Sequence, residues 1–309
     1  MIHALLTKEL HLCYLQRFFY MKKALRHFLS ILSLLPILAV LSCATNNSLQ
    51  KPLQDQWQKI QDADWAEYLF HEDNTTPLRY HCIKIDLTSE AISIETFPNS
   101  EKDFIQKNGQ KTEFFKGISA KEFAKKTKSL ISVNTAPFDG IYKNKKVSLL
   151  SSTRKICGIH VAEKKLISPP IEKYSALCLK KEDSGYSAKI FKNQTREDFT
   201  EYDFAFGGFF TILKDFQKQP FSATKDSRTA IGLSKDGRTL YLLVVEGEKS
   251  SQSTGLSYPE CADIILSLGA SDAMQMDGGG SSSLFINGKN ALSYKTRRKS
   301  AVFLGFKNK

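Results

Sequence analysis

The sequence has no excess of proline, glycine or glutamine, with 9 Pro and 17 Gly among 309 residues. This composition excludes a collagen-like chain, a coiled coil and an intrinsically disordered protein. The residues present, 41% hydrophobic and 25% charged, are instead typical of a folded globular protein. A chain of this length buries roughly three quarters of its unfolded surface, so it needs no disulfide framework to hold a core.

Several motifs with a defined chemistry are also missing. There is no Cys-x-x-Cys pair, Gly-x-Ser-x-Gly elbow, Walker loop, Gly-x-Gly-x-x-Gly after a strand, or His-Glu-x-x-His. Their absence disfavours the common zinc, redox, nucleotide-binding and serine-hydrolase sites. The cysteines after residue 43, which are Cys82, Cys157, Cys178 and Cys261, could be disulfide-bonded or free, and the sequence leaves both open.

The formal net charge of +12 raises the question of a nucleic-acid partner. Residues 1–42 contain five basic side chains and one acid, and the remaining +8 is spread over many short lysine runs. Nucleic-acid-binding domains usually concentrate such charge in one patch. We therefore expect no nucleic-acid partner, and a basic surface that faces anionic polymers.

The N-terminal segment has the pattern of a secretory signal. Met21-Lys-Lys-Ala-Leu-Arg-His is followed by a mostly apolar run over 28–41, which is shorter than the roughly 20 residues that span a bilayer. Val40-Leu-Ser-Cys43 resembles a bacterial lipobox, which would make Cys43 the site of lipid modification. We expect a signal over 1–42, with translation starting at Met21, then a tether over 43–51 and one domain over 52–309. The alternative is a buried helix with an incidental cysteine.

The periodicity of the chain predicts an α+β fold, a single domain with a mixed, largely antiparallel sheet and a few packed helices. An amphipathic helix is expected over 54–70. Ser119-Ala-Lys-Glu122 and Ser257-Tyr-Pro-Glu260 have the spacing of capping boxes and predict two further helices. Lys235-Asp-Gly-Arg238 predicts a hairpin turn between strands over 228–233 and 240–245.

Asp277-Gly-Gly-Gly-Ser281 is the strongest local signal for a functional site. Three glycines in a row favour a positive φ or a close approach of the backbone to a ligand, and exposed amides in such a turn can hold an anion. Asp277 itself could be a base, a nucleophile or a metal ligand. The alternative is a tight turn whose aspartate bonds its own backbone.

Other polar residues lie at predicted strand ends or in loops. Arg228 opens a strand and could bind phosphate in a fork, and Glu246 ends the next strand. The Thr254-Gly255 loop could close over a ligand. Asn134 ends another predicted strand and could orient a sugar hydroxyl or a phosphate, and Asp139 follows in Phe138-Asp139-Gly140. Each of these residues could equally serve a turn or the protein surface.

Taken in chain order, these pieces resemble the phosphodiester glycosidase family. The resemblance rests on Arg228-Thr-Ala-Ile-Gly232, Asp236-Gly-Arg238, the strand that ends at Glu246, the Thr254-Gly255 loop, the helix after Ser257 and Asp277-Gly-Gly-Gly-Ser281. It is dense over 204–306 and thinner over 80–140. Two departures stand out: Asn134-Thr-Ala-Pro-Phe138 replaces an Asn-Gly-Gly pattern, and Phe216 stands where a glycine is usual.

The resemblance implies a hydrolase that cleaves the sugar C1–O bond of a glycosyl phosphodiester on an envelope or extracellular glycan. The implied catalytic residues are Asp277, Glu246 and Arg228, and the implied substrate-binding residues are Asn134, Asp139, Gly207, Gly208, Thr254, Gly255, Gly278, Gly279, Gly280, Ser281 and Arg298, with Arg297 as an alternative to Arg298. No cofactor is certain, and a divalent cation stays open. A phosphodiesterase that cleaves P–O, and a non-catalytic envelope lipoprotein that binds phosphorylated glycans, are the alternatives.

Overall fold

The structure is a computed structural model that describes residues 56–140, 152–194, 199–296 and 298–309, and the backbone of 142–143 and 146–147. The predicted signal segment, Cys43, the tether and Arg297 lie outside the described residues. Residues Lys51–Lys309 form one compact unit.

The described part of the chain is built mainly from strands. In chain order these are β1 (Gln58–Ile60), β2 (Ala63–Asp73), β3 (Leu78–Asp86), β4 (Ile92–Phe97), β5 (Phe104–Lys107), β6 (Gln110–Lys116), β7 (Ile131–Asn134), β8 (Phe138–Gly140), β9 (Tyr142–Lys143), β10 (Lys146–Val147), β11 (Thr153–Ile156), β12 (His160–Ala162), β13 (Lys165–Ser168), β14 (Ala176–Lys181), β15 (Tyr186–Phe191), β16 (Phe204–Gly207), β17 (Thr211–Lys214), β18 (Gln217–Lys218), β19 (Arg228–Leu233), β20 (Thr239–Val245), β21 (Asp272–Gln275), β22 (Leu284–Ile286), β23 (Lys289–Asn290) and β24 (Phe303–Asn308). The helices are α1 (Ala120–Thr127) and α2 (Tyr258–Ser267).

The strands pair into five sheets. The largest has the order β1-β2-β3-β20-β19-β21-β17-β18. Two five-stranded sheets follow, β23-β22-β7-β24-β4 and β13-β12-β16-β14-β15, with a four-stranded sheet β5-β6-β11-β8 and the pair β10-β9. Neighbouring strands run antiparallel wherever the described residues pair, so the fold is mainly β. The α+β prediction holds only loosely, since two helices are found there, and the expected mixed sheet is antiparallel instead.

The eight-stranded sheet is buried on both faces, which explains why β20 is apolar along its length. Leu240, Leu242 and Val244 point into one hydrophobic core, which the sheet shares with β4, β7, β22 and β24. Tyr241 and the other β20 residues that alternate with these three pack on the opposite face of the sheet, against α2. The period of two along the strand therefore divides its residues between two cores.

Both helices begin where their capping signals predict. The Ser119 hydroxyl accepts a hydrogen bond from the Glu122 amide, and Ser257 forms a reciprocal capping box with Glu260. The helix α2 lies so close to β19 that a Cβ on Gly232 would come within 2.4 Å of Ile265. The predicted hairpin is also present, because β19 and β20 pair in register across the 235–238 turn.

The helix predicted over 54–70 is wrong. The chain forms β1 there, turns at Asp62, where φ is 62°, and continues as β2. Ala63, Trp65 and Leu69 are buried, and β2 pairs with β3 over eight residue pairs. The apolar spacing over 54–70 is compatible with either a helix or a strand, and hydrogen bonding to the sheet selects the strand.

No disulfide joins the four described cysteines, of which Cys82, Cys178 and Cys261 are buried. Burial raises the pKa of the Cys261 thiol to about 12, so this group is an uncharged part of the core. Among the described residues, no helix combines the length and apolar character needed to cross a membrane.

Candidate active site

Most of the predicted site residues lie along one row of strand ends in the eight-stranded sheet, which is called the edge below. The start of β19 pairs with the end of β20, as Arg228 faces Val245, and Val245 in turn faces Tyr80 near the start of β3. The end of β21 also lies beside the start of β19. Because neighbours run antiparallel, the residues that precede β19 and follow β20 and β21 meet at this edge.

Backbone hydrogen bonds hold the triglycine turn against the start of β19. The Gly279 N–H donates to Ser227 O over 2.8 Å, and the Asp277 N–H donates to Thr135 O over the same distance. A Cβ on Gly278 would lie 2.9 Å from Ser227 O, and Gly279 has a φ of +55°. The glycines are therefore required for the close approach of two backbone segments.

This packing changes the expected role of the turn amides. Besides the amide of Gly279, that of Ser281 donates to Gly278 O and that of Ser282 donates to Gly279 O. These donors are used inside the turn and do not point to a ligand. The arginine side chains are therefore better placed than these three amides to bind an anion at this edge.

Asp277 lies in the protein interior with part of its surface open to solvent. Burial raises the pKa of the Asp277 carboxyl to about 6, although Ser281, the Arg298 charge and the Gly278 amide favour the ionised form. Arg298 Nη1 donates to Ser281 Oγ over 3.1 Å, and its guanidinium lies over Gly280. A carboxyl that titrates close to neutral pH thus lies beside a fixed cation.

Arg228 lies beside Gly278 of the same turn. Its Nε donates to Leu256 O over 2.9 Å, and Nη2 donates to Thr224 O over 2.7 Å. The guanidinium also stacks on the Tyr258 ring, with Cζ 4.6 Å from the ring centroid. Its Cδ would lie 3.9 Å from a Cβ on Gly278, so the predicted arginine and the triglycine turn are neighbours.

Glu246 occupies a different environment from the one expected of a group that faces substrate. It is only 2% exposed. Its Oε1 is 3.0 Å from His81 Nε2 and accepts from the Ser293 amide, while Oε2 accepts from the Ser293 hydroxyl. These hydrogen bonds outweigh burial and lower the pKa of the Glu246 carboxyl.

Asn134 is also engaged within the protein. Its Nδ2 donates to Asp277 O over 2.6 Å, and its Oδ1 accepts from Thr229 Oγ1 and from the Ser283 amide. The side chain is fully buried. It therefore positions the triglycine turn and has no free oxygen for a sugar hydroxyl or a cation.

The remaining predicted binding residues have structural contacts. Asp139 lies on β8, where it interacts with Lys155 and Cys157. Thr254 N–H donates to Pro77 O, and Gly255, with φ +77°, packs on the Asp226 backbone. Gly207 and Gly208 are buried, and a Cβ on the latter would lie 2.5 Å from Gln275 O. Close packing accounts for these two glycines.

The structure adds residues that the sequence did not single out. His81 and Ser293 flank Glu246, and Tyr258 stacks on Arg228. The Asp226 carboxylate lies 3.5 Å from the position of a Cβ on Gly279. Tyr294 lies near Glu246 and Asp226, and burial raises the pKa of its hydroxyl to about 12. No local motif marks these residues, since each depends on contacts between distant segments.

Nowhere in the described ranges do three or more His, Cys, Asp or Glu side chains gather in a group suited to a metal ion.

Comparison with known proteins agrees with this geometry. Residues 127–307, more than half of the chain, match the sequence profile of the family described as Phosphodiester glycosidase. No curated protein is detectably similar in sequence.

Solved structures share the fold. The catalytic domain of zebrafish N-acetylglucosamine-1-phosphodiester alpha-N-acetylglucosaminidase, auto-inhibited by its pro-peptide, has a TM-score of 0.59 at 15% identity, over 82% of this chain and 86% of that chain. A hypothetical protein from Synechocystis has a TM-score of 0.54 at 13% identity, over 78% of this chain and 61% of that chain. A Burkholderia pseudomallei protein has the same score and identity, over 74% of each chain. The matched segment carries the edge with Asp277, Arg228 and Arg298, and the chain belongs to the phosphodiester glycosidase family.

Proposed function

We propose that this protein hydrolyses the sugar C1–O bond of a glycosyl phosphodiester and releases a free sugar and a phosphate monoester. The observation that carries the proposal is the carboxyl of Asp277 at the triglycine turn, where Arg298 lies beside Gly280 and Arg228 lies beside Gly278. Family membership supports hydrolysis of this bond type.

The chemistry of the bond fits the charges at this edge. Glycosyl transfer passes through an oxocarbenium-like state, which an ionised carboxylate at Asp277 would stabilise. The leaving group is a phosphate monoester with a second pKa of about 6, so it needs charge stabilisation more than a general acid. Arg298 and Arg228 are fixed by hydrogen bonds before substrate arrives, which favours stabilisation of the growing negative charge.

A row of aromatic rings next to Arg228 supports a substrate with apolar faces, as sugar rings have. Tyr258 contacts Phe221, with centroids 5.5 Å apart, and Phe221 contacts Phe210 at 5.7 Å. The row continues through Phe209 to Tyr174. Each of these side chains keeps part of its surface exposed, as the walls of a binding cleft do.

We further propose that the protein is exported and lipid-anchored to the bacterial cell envelope, at its periplasmic or surface face, through Cys43. The sequence Val40-Leu-Ser-Cys43 after a short apolar run supports this location. An anionic envelope or extracellular glycan would then be the substrate, and the net positive charge would favour its approach. Mass spectrometry of the mature N-terminus tests the anchor: a chain that still contains residues 21–42 would contradict it.

The reaction is tested with methyl phosphodiesters of several sugar 1-phosphates in ¹⁸O-labelled water. Cleavage of C1–O places the label in the sugar. Label in the phosphate would instead identify a phosphodiesterase, and tight binding without release over hours would identify a non-catalytic glycan-binding lipoprotein.

Asp277→Asn should abolish sugar release while the circular dichroism spectrum stays unchanged. Near-normal turnover of this variant would remove Asp277 from the catalytic residues.

A further inference from the structure

Four polar side chains form a continuous chain of hydrogen bonds beside the candidate active site, with half-buried Tyr68 at one end and exposed Ser293 at the other. The Tyr68 hydroxyl is 2.8 Å from His81 Nδ1, and His81 Nε2 is 3.0 Å from Glu246 Oε1. The Glu246 carboxylate accepts from both the amide and the hydroxyl of Ser293. The Nε2–H tautomer of His81 satisfies both of its contacts, because Nδ1 then accepts from Tyr68.

Ser293 is the more exposed end of this chain, since Tyr68 is half-buried. His81 and Glu246 are each 2% exposed, whereas Ser293 is exposed. Both oxygens of Glu246 already have partners, so a water molecule or a sugar reaches this carboxylate only through the Ser293 hydroxyl. The other neighbour of that hydroxyl is Gln252 Oε1, at 3.2 Å.

The segment that carries Ser293 also carries the cation of the candidate site. Thr296 Oγ1 donates to Ser282 O over 2.8 Å, and Arg298 binds Ser281. The same segment therefore connects Glu246 at one end with the triglycine turn at the other. The hydroxyl that reaches Glu246 and the guanidinium beside Asp277 are therefore carried by one short segment.

We propose, resting on the function proposed above, that Ser293 is the substrate-facing end of a proton relay in which Glu246 is the acceptor. The oxygen of the attacking water bonds to the anomeric carbon, and the C1–O electron pair leaves with the phosphate. The water proton passes to Ser293 Oγ while the hydroxyl proton of Ser293 passes to Glu246. After product release, Glu246 returns this proton to solvent by the same route.

In this relay His81 and Tyr68 are positioning residues. A buried carboxylate without partners would favour its protonated form and could not accept a proton. The Nε2–H of His81 stabilises the ionised form of Glu246, and the Tyr68 hydroxyl fixes the His81 tautomer. Both residues precede the segment over 127–307 that matches the family, so this part of the site is built from β2 and β3.

The test compares Ser293→Ala with Ser293→Thr, because threonine restores a hydroxyl at the same place. We expect Ser293→Ala to lower kcat roughly 100-fold, within the usual contribution of a general base, with KM changed less than about threefold. The solvent deuterium isotope effect on kcat should fall towards one in this variant, and Ser293→Thr should restore most of both. Tyr68→Phe, which leaves the Ser293–Glu246 contact intact, should cause a smaller loss of kcat.

Ser251→Ala, on an exposed position of the neighbouring loop, is the matched control and should behave as the wild type. An unchanged kcat or isotope effect in Ser293→Ala, or a loss that lies in KM alone, would overturn the relay while the proposed function stands. A wild-type protein that releases no sugar from any diester, or that places ¹⁸O in the phosphate, would overturn both.

Discussion

The side-chain amide of Asn134 donates a hydrogen bond to the main-chain oxygen of Asp277 across 2.6 Å. This contact joins the end of β7, in a five-stranded sheet, to the turn that follows β21 in the eight-stranded sheet. The geometry of the triglycine turn therefore depends on a residue 143 positions earlier in the chain. A residue expected to bind substrate acts here as a support for the candidate catalytic carboxyl.

Replacing this amide by a carboxylate tests that support. Asn134→Asp keeps the size of the side chain but removes the donor to Asp277 O and places an acid in a fully buried position. Because a buried group loses its partner, we expect the free energy of unfolding to fall by roughly 1–3 kcal/mol in urea titrations. Asn74→Asp, at an exposed turn, should change it by less than about 0.5 kcal/mol. Equal stabilities of the two variants would contradict the supporting role.

The raised pKa of Asp277 predicts a specific dependence of stability on pH. The carboxyl has a pKa of about 6 in the folded protein, against 3.8 as the ordinary value. Between these values the folded state binds more protons than the unfolded state, so this group lowers stability as pH rises from about 4 to 6. The effect is of order 1–3 kcal/mol, since part of the residue remains exposed.

Asp277→Asn removes this penalty. We expect its unfolding free energy, relative to the wild type, to increase between pH 4 and pH 7. Asp236→Asn provides the contrast, because hydrogen bonds from Ser234 and the Arg238 amide lower the pKa of the Asp236 carboxyl below 3.8. Its unfolding free energy relative to the wild type should fall as pH rises towards 4 and then stay nearly constant between pH 4 and pH 7. Parallel pH profiles of the wild type and Asp277→Asn would contradict the raised pKa.

The sequence predicted correctly those elements that are stabilised by contacts between residues close together in the chain. The capping box at Ser257 places its two partners three residues apart, and the hairpin turn at Gly237, with φ +69°, needs only four residues. Phe216 was also identified from a local pattern, because the family resemblance expects glycine at this position. The structure gives Phe216 a φ of +63° in the tight turn between β17 and β18, which is a conformation that favours glycine.

Contacts between distant segments could not be predicted in this way. The 54–70 segment has spacings compatible with a helix, but pairing with β3 made it a strand. The contact of His81 with Glu246 spans 165 residues, and Ser293 reaches Glu246 from a loop 47 residues later. The predicted site residues Asp277, Arg228 and Arg298 do meet at one edge. The burial of Glu246 and the engagement of the turn amides within the protein depend on neighbours that the sequence alone does not identify.

The backbone of Phe216 predicts a stabilising substitution. A residue with a side chain pays conformational strain of about 1–2 kcal/mol in the left-handed region, which glycine does not. The side chain is 43% exposed, so little packing is lost on its removal. After the larger entropy of an unfolded glycine is subtracted, we expect Phe216→Gly to raise the unfolding free energy by about 0.5 kcal/mol. Phe115→Gly, in the core, should be strongly destabilising; a destabilised Phe216→Gly would contradict the strain.

The stacking of Arg228 on Tyr258 predicts an energetic coupling between these residues. Arg228 uses two guanidinium nitrogens for Leu256 O and Thr224 O while its face covers the ring, and a lysine cannot reproduce this planar fork. We expect Arg228→Lys to lower the unfolding free energy by about 1–2 kcal/mol and to raise KM for the phosphodiester.

A double-mutant cycle with Tyr258→Leu isolates the stack. The coupling energy in urea titrations should be about 0.5–1 kcal/mol, as for a partly exposed cation–π contact. Arg238→Lys, in the hairpin turn, is the control and should leave both stability and KM unchanged. Strictly additive effects of Arg228→Lys and Tyr258→Leu would mean that the ring does not orient the guanidinium, and that the two backbone oxygens alone hold Arg228 at the edge of the turn.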